Sequence, residues 1–140
     1  MKNLITNILF LVLFTLFINC KPKLNSNEND LKRIWMLVEF QNFKKEDFIK
    51  NKAQLNFTNL KNPVANMGCN QISFQIELKQ NNIKFVNVRS TRKFCENGME
   101  LENKFLKSIN QYNFYAVEGQ KLILTTSKKE KMIFVAQDWD

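Results

Sequence analysis

Apolar residues along this chain change their spacing repeatedly, and each change marks an element. Leu4 to Ile18 is an apolar run broken only by Thr6, Asn7 and Thr15, and it stops just before Asn19 and Cys20. Lys21 to Asp30 then holds Asn, Ser, Pro and charged residues, with Leu24 its only large apolar side chain. Ile34 to Phe43 is dense in apolar and aromatic residues, which predicts a strand buried on one face and partly on the other. Residues 53–58 alternate at period two, as a half-buried antiparallel strand does. Asn59 to Gly68 carries Pro63 and turn formers, so a loop is expected there. Ile72, Phe74, Ile76 and Leu78 alternate with polar residues and give the clearest strand. Gln80-Asn81-Asn82 follows as a turn, and a returning strand runs through Val88.

The period then becomes helical. Met99, Leu101, Phe105, Leu106 and Ile109 place an apolar stripe on one face, Asn97 is expected as the cap, and Glu100 and Glu102 suit the first turn. This is the one helix the pattern marks strongly. Tyr112 to Val117, Lys121 to Thr126 and Lys131 to Gln137 read as three further strands. Strands, a helix and more strands, without βαβ alternation, predict an α+β fold. Its sheet is antiparallel, with the helix covering one side or end.

The N-terminal segment speaks to location. Lys2, the apolar run and Cys20 have the layout of a secretory signal whose cleavage point is a cysteine. It resembles a bacterial lipoprotein signal, with Leu16-Phe17-Ile18-Asn19-Cys20 a loose version of the lipid-attachment motif and Cys20 as lipidation site. The competing readings are ordinary cleavage or an uncleaved anchor, although fifteen apolar-run residues fall short of the roughly 20 that span a bilayer comfortably. The expected organisation is a signal at 1–19, a flexible tether at 20–30 and a domain at 31–140. Lys21 after Cys20 is not the Asp that favours inner-membrane retention in some diderm bacteria, so the outer membrane is favoured over the inner.

Charge and cysteine content narrow the chemistry. The chain carries 21 basic and 13 acidic residues, and loss of the segment containing Lys2 leaves the excess at +7. The basic residues are scattered, which suits a solvated surface or an anionic membrane better than nucleic acid, and no nucleic-acid partner is expected. The densest basic cluster is Arg89, Arg92 and Lys93, the first place to look for an anionic ligand. There is no histidine, which removes Ser-His and Cys-His nucleophile systems and the usual zinc catalytic sites. Besides Cys20, Cys69 and Cys95 remain. In an exported protein they are expected as a disulfide, whose closure would contribute about 3 kcal/mol. The rival readings are a metal-binding or redox-active pair, although redox pairs are usually spaced C-x-x-C. No metal or cofactor is expected.

Trp35-x-Leu37, Gly68-Cys69-Asn70, Thr91-Arg92-Lys93-Phe94-Cys95, Glu102-Asn103-Lys104-Phe105-Leu106 and Gly119-x-x-Leu122-x-Leu124 occur in series. In this order and spacing the chain resembles the META domain, or HslJ-like, family of small exported bacterial proteins, from about Leu31 to Val135. A glycine common in that family beyond the Gly-Cys-Asn motif is replaced here, with Phe74 in its neighbourhood. The resemblance implies a curved, barrel-like antiparallel sheet packed on one helix. It also implies a stress- or envelope-associated role, because HslJ-like proteins are linked to heat shock and novobiocin tolerance. It supplies no catalytic residues.

From the residues themselves, Gly68 can permit a turn, Asn70 can hydrogen-bond locally, Thr91 can support the approach to Cys95, and Trp35 and Trp139 suit packing. The expectation is a monomeric, non-catalytic, lipid-anchored envelope protein that binds a protein or envelope component. The alternatives are a small-ligand carrier, an inhibitor of an attacking enzyme, or a thiol-disulfide enzyme.

Overall fold

In the computed structural model, residues 27–96 and 98–138 are described, and eight strands form a closed antiparallel barrel in sequence order. The strands are β1 (Ile34–Phe40), β2 (Gln54–Asn56), β3 (Val64–Asn66), β4 (Gln71–Lys79), β5 (Asn82–Ser90), β6 (Tyr112–Glu118), β7 (Lys121–Thr126) and β8 (Lys131–Ala136). Three helices accompany them: α1 (Glu28–Leu31), α2 (Lys45–Lys50) and α3 (Met99–Ser108), the last continued by a 3₁₀ turn at Ile109–Gln111. Pairing of β1 with β8, from Trp35 opposite Ala136 to Phe40 opposite Met132, closes the ring. The signal at 1–19, Cys20, Asn97 and Trp139 lie outside the described residues.

The expected antiparallel sheet and its helix are present, with four differences in detail. The first strand stops at Phe40, because the backbone turns at Gln41 with φ of 49°. Phe43 then folds back to stack on Phe40 at 5.9 Å and to meet the buried Phe48 of α2. Helix α2 was not expected: Lys45–Lys50 is too short to show a period, and it buries a single residue. A strand, β3, runs through the stretch expected as loop, because Pro63 only precedes it and Ala65 turns inward opposite Leu55 and Ile72. The last residues of the expected tether belong to α1, capped by the Asn27 side chain, and the Trp35 indole donates to the Leu31 carbonyl at 2.9 Å.

Inward residues of the strands fill the barrel axis. Trp35, Leu55, Ile72, Ile83, Leu122, Leu124, Met132 and Phe134 are buried, and Phe57, Phe74 and Phe85 meet edge to face at 6.2 and 5.3 Å. Close packing of this kind makes the barrel a core and leaves no room for a lumen.

The strands alternate in direction, so β1, β3 and β5 all run away from the end at which α1 enters. Hence the connections 41–53 with α2, 67–70, 91–111 with α3, and 127–130 share the far end. The ladder between β5 and β6 has a single pair, Asn82 opposite Phe114, while β5 stays paired with β4 to Ser90. After Ser90 the chain leads to α3, which buries Leu101, Phe105 and, through its 3₁₀ turn, Ile109.

One buried polar atom is left over. The Tyr112 hydroxyl has no hydrogen-bond partner among the described residues. Burial, and then the Glu130 carboxylate, push its pKa up to about 12. The unfolded value is near 10, so the folded state holds this proton more tightly. Its titration leaves stability unchanged below pH 10 and lowers it as pH rises from 10 towards 12. Tyr112→Phe is expected to raise stability at pH 7 by about 1 kcal/mol and to flatten that alkaline decline. Urea unfolding at pH 7, 9.5 and 11.5 checks both.

Candidate functional site

Three of the five family-like motifs, at 68–70, 91–95 and 102–106, converge at the far end of the barrel around one buried carboxylate, while Trp35 and Gly119 lie at the entry end. Helix α3 starts at Gly98 and places Glu102 on the same side as Phe105, where it is only 2 % exposed. Its oxygens accept from the Asn70 backbone N–H at 2.6 Å, the Asn70 side-chain amide at 2.8 Å, the Cys69 N–H at 3.3 Å and, at the limit of range, the Ser90 hydroxyl at 3.5 Å. All these donors are neutral, so the 69–70 backbone acts as a small nest for the carboxylate.

Asn70, 3 % exposed, joins three segments. Its amide also donates to the Lys93 carbonyl at 3.2 Å, and its Oδ1 accepts from the Thr91 hydroxyl at 2.8 Å and the Lys93 N–H at 2.7 Å. The Thr91 hydroxyl in turn accepts from the Gln71 N–H at 3.2 Å. Thr91 thus secures the path from β5 to Cys95, as its place in the sequence suggested. The Cys69–Cys95 disulfide, with a Cα–Cα distance of 5.9 Å, adds a covalent tie between the same two segments.

Two glycines meet beneath this clasp. A Cβ on Gly68 would stand 2.8 Å from the Gly98 Cα and 2.8 Å from the Asn51 side-chain oxygen. One on Gly98 would stand 2.9 Å from the Gly68 Cα. Both have positive φ, 133° and 84°. The need for glycine at 68 was visible in the sequence as turn freedom. Its crossing with Gly98 was not.

The basic cluster is brought together only in part. Arg92 and Lys93 are exposed and line an open groove of about 540 Å³ between residues 90–94 and α3, with Val88, Met99 and Leu106 also in its wall. Arg89 is exposed on β5 and does not line that groove. A second groove of about 860 Å³ separates α2 from α3. There Lys44, Lys50, Lys104 and Lys107 mix with Asp47, Glu96 and Glu100, so neither sign of charge dominates. Trp35 is a packing residue, and Leu122 and Leu124 point into the core behind the turn at Gly119.

Glu102 is the residue that sequence reasoning missed. It was read as favourable near a helix N-terminus, yet it lies three and seven positions before Phe105 and Ile109, on the apolar stripe itself. That placement was the available signal. Among the described residues, no group of three or more Cys, Asp and Glu is arranged to hold a metal ion. No helix among them is long and apolar enough to cross a membrane.

Removal of the disulfide by Cys69→Ser with Cys95→Ser is expected to cost about 3 kcal/mol, since the loop it closes spans 26 positions. The barrel should still fold, because Asn70 and Glu102 join the same segments. Denaturant titration and near-ultraviolet circular dichroism of the double variant check both points.

Comparison with known proteins agrees with this fold. A family model described as the META domain matches residues 19–139. No curated protein matches the sequence. A protein solved by NMR is 19 % identical, with a TM-score of 0.65 over 81 % of this chain and 97 % of its own. A Burkholderia xenovorans protein, also solved by NMR, is 16 % identical, with a TM-score of 0.65 over 86 % and 99 %. A DUF4847 family protein from Bacteroides vulgatus is 14 % identical, with a TM-score of 0.51 over 81 % and 97 %. At these identities the likeness speaks for the fold alone. The family model covers most of the chain, and the chain belongs to the META domain family.

Proposed function

We propose that this META-domain protein is a non-catalytic, lipid-anchored component of the cell envelope that supports envelope maintenance or stress tolerance by binding a protein or envelope component. The observation that carries the non-catalytic part is where the motif residues direct their polar atoms. Asn70, Thr91 and Glu102 hydrogen-bond to one another and to nearby backbone, and Cys69 and Cys95 are bonded to each other. Such an arrangement holds segments in place, with the polar atoms of Asn70, Thr91 and Glu102 and both sulfurs committed to one another. The chain also has no histidine. Placement rests on the Lys2, Leu4–Ile18 and Cys20 layout, with the outer membrane favoured over the inner.

The carrier alternative is disfavoured by the filled barrel axis, which offers no enclosed space of the kind lipocalins use. An inhibitor of an attacking enzyme is the case of this reading in which the bound protein is that enzyme.

Cys20→Ser tests the anchor. In cells fed radiolabelled palmitate, the wild-type chain is expected to take up label and to sediment with membranes, and the variant to lose the label. A wild-type product found unlabelled and entirely in the medium would overturn the proposal.

A further inference from the structure

We propose that the groove between residues 90–94 and α3 is a docking site for an extended protein segment carrying an apolar side chain beside an acidic one. The inference rests on the binding role proposed above and gives it a surface and a partner chemistry.

Phe94 starts the argument. It is 89 % exposed, the most exposed of the large apolar side chains described, and it sits directly after Arg92 and Lys93. Exposure is not explained by a loose loop. On one side, the Lys93 N–H and C=O are both held by Asn70, and on the other, Cys95 is bonded to Cys69. The backbone around Phe94 is therefore fixed before any partner arrives, which removes much of the ordering cost of binding. Large aromatic side chains presented this way are the usual anchors of interfaces.

The adjoining groove supplies complementary chemistry. Val88, Met99 and Leu106 are half-buried in its wall and can receive an apolar side chain. Of the charged residues lining it, Arg92 and Lys93 are exposed, while the Glu102 carboxylate already accepts from Cys69 and Asn70. Glu96 and Glu100 line the other groove. The site therefore presents positive charge beside Phe94, Val88, Met99 and Leu106, set among polar groups such as Ser90 and Asn103, a pattern that favours a ligand with an acidic group next to an apolar one.

An anionic bilayer has similar chemistry, and chain direction decides against it. β5 runs away from the end where α1 enters, so residues 91–94 lie at the far end of the barrel. If Cys20 carries the lipid, residues 21–27 reach at most about 25 Å, and the bilayer lies at the entry end. The groove then lies at the barrel end opposite the attachment point, which favours a protein over the bilayer as its occupant.

The test uses the full chain in cells. p-Benzoylphenylalanine is placed at position 94, with the same photoprobe at Ile49 on α2, which is 66 % exposed, as the control. Irradiation is expected to give a protein adduct from position 94 and not from 49. The crosslinked peptide of that adduct should carry Asp or Glu within a few residues of an apolar side chain. Arg92→Glu with Lys93→Glu should lower its yield by about tenfold, with thermal stability unchanged because both side chains are exposed. A phospholipid adduct would overturn the proposal in favour of a membrane contact. No adduct above the Ile49 control, or one indifferent to the charge reversal, would also overturn it. Fractionation of the same cells separates the two readings. A membrane-retained protein without the adduct loses only the groove, and a soluble protein with the adduct loses only the anchor.

Discussion

Gly68→Ala is expected to lower the unfolding free energy by about 4 kcal/mol, and Gly98→Ala by a similar amount. Two costs add at each position. An alanine must adopt a positive φ, 133° at Gly68 and 84° at Gly98, which L side chains resist. Its Cβ must also enter a space already filled by the facing glycine's backbone, at 2.8 or 2.9 Å, where no side-chain rotation gives relief. Gly119 is the internal control. It too has positive φ, 61°, yet a Cβ there meets nothing within 4 Å. Gly119→Ala should therefore cost about 1 kcal/mol, the backbone part alone. Urea unfolding followed through the buried Trp35 measures all three. Equal losses at 68 and 119 would mean that the glycine crossing carries no weight.

Asn70→Ala is expected to cost about 3 kcal/mol, because it strips partners from the buried Glu102 carboxylate and from three part-buried groups at once. The Lys93 N–H and C=O, the Thr91 hydroxyl and the Glu102 carboxylate each lose a bond. Glu102→Gln keeps the shape but turns one acceptor oxygen into a donor that must face donors, so about 2 kcal/mol is expected there. The double variant should cost less than the sum by 1 kcal/mol or more, on the order seen for residues in one network. Strict additivity in a double-mutant cycle would separate the two residues energetically and refute the clasp.

Legibility of the fold followed pattern length. β4, β5 and α3 are nine or ten residues each, long enough for alternation or helical stripe to stand out. β3 and α2 were lost because three and six residues hold too little pattern, and because Pro63 signals a break without saying that pairing resumes one residue later. Barrel closure depends on β1 meeting β8 across the whole chain, a contact that no local spacing reports. At the site, Cys69 and Cys95 were legible from compartment and parity, and the part played by Thr91 from its position. Glu102 was hidden by its type, since a glutamate in a first helical turn is ordinarily solvated. Only its bonds to the 69–70 backbone make burial tolerable. Arg89 was grouped with Arg92 and Lys93 by sequence proximity, whereas the alternation of β5 and the bend after Ser90 separate their environments.

Closure by the last strand also sets a timetable. β8 is the shared neighbour of β1 and β7, so a chain ending at Thr126 would hold two unsatisfied strand edges and would lack Met132 and Phe134 from its core. During synthesis, no partial barrel can be finished early, and the slowest-forming contact joins the first strand to the final one. Truncation before Lys131, which removes all of β8, should thus produce a sticky, protease-sensitive chain.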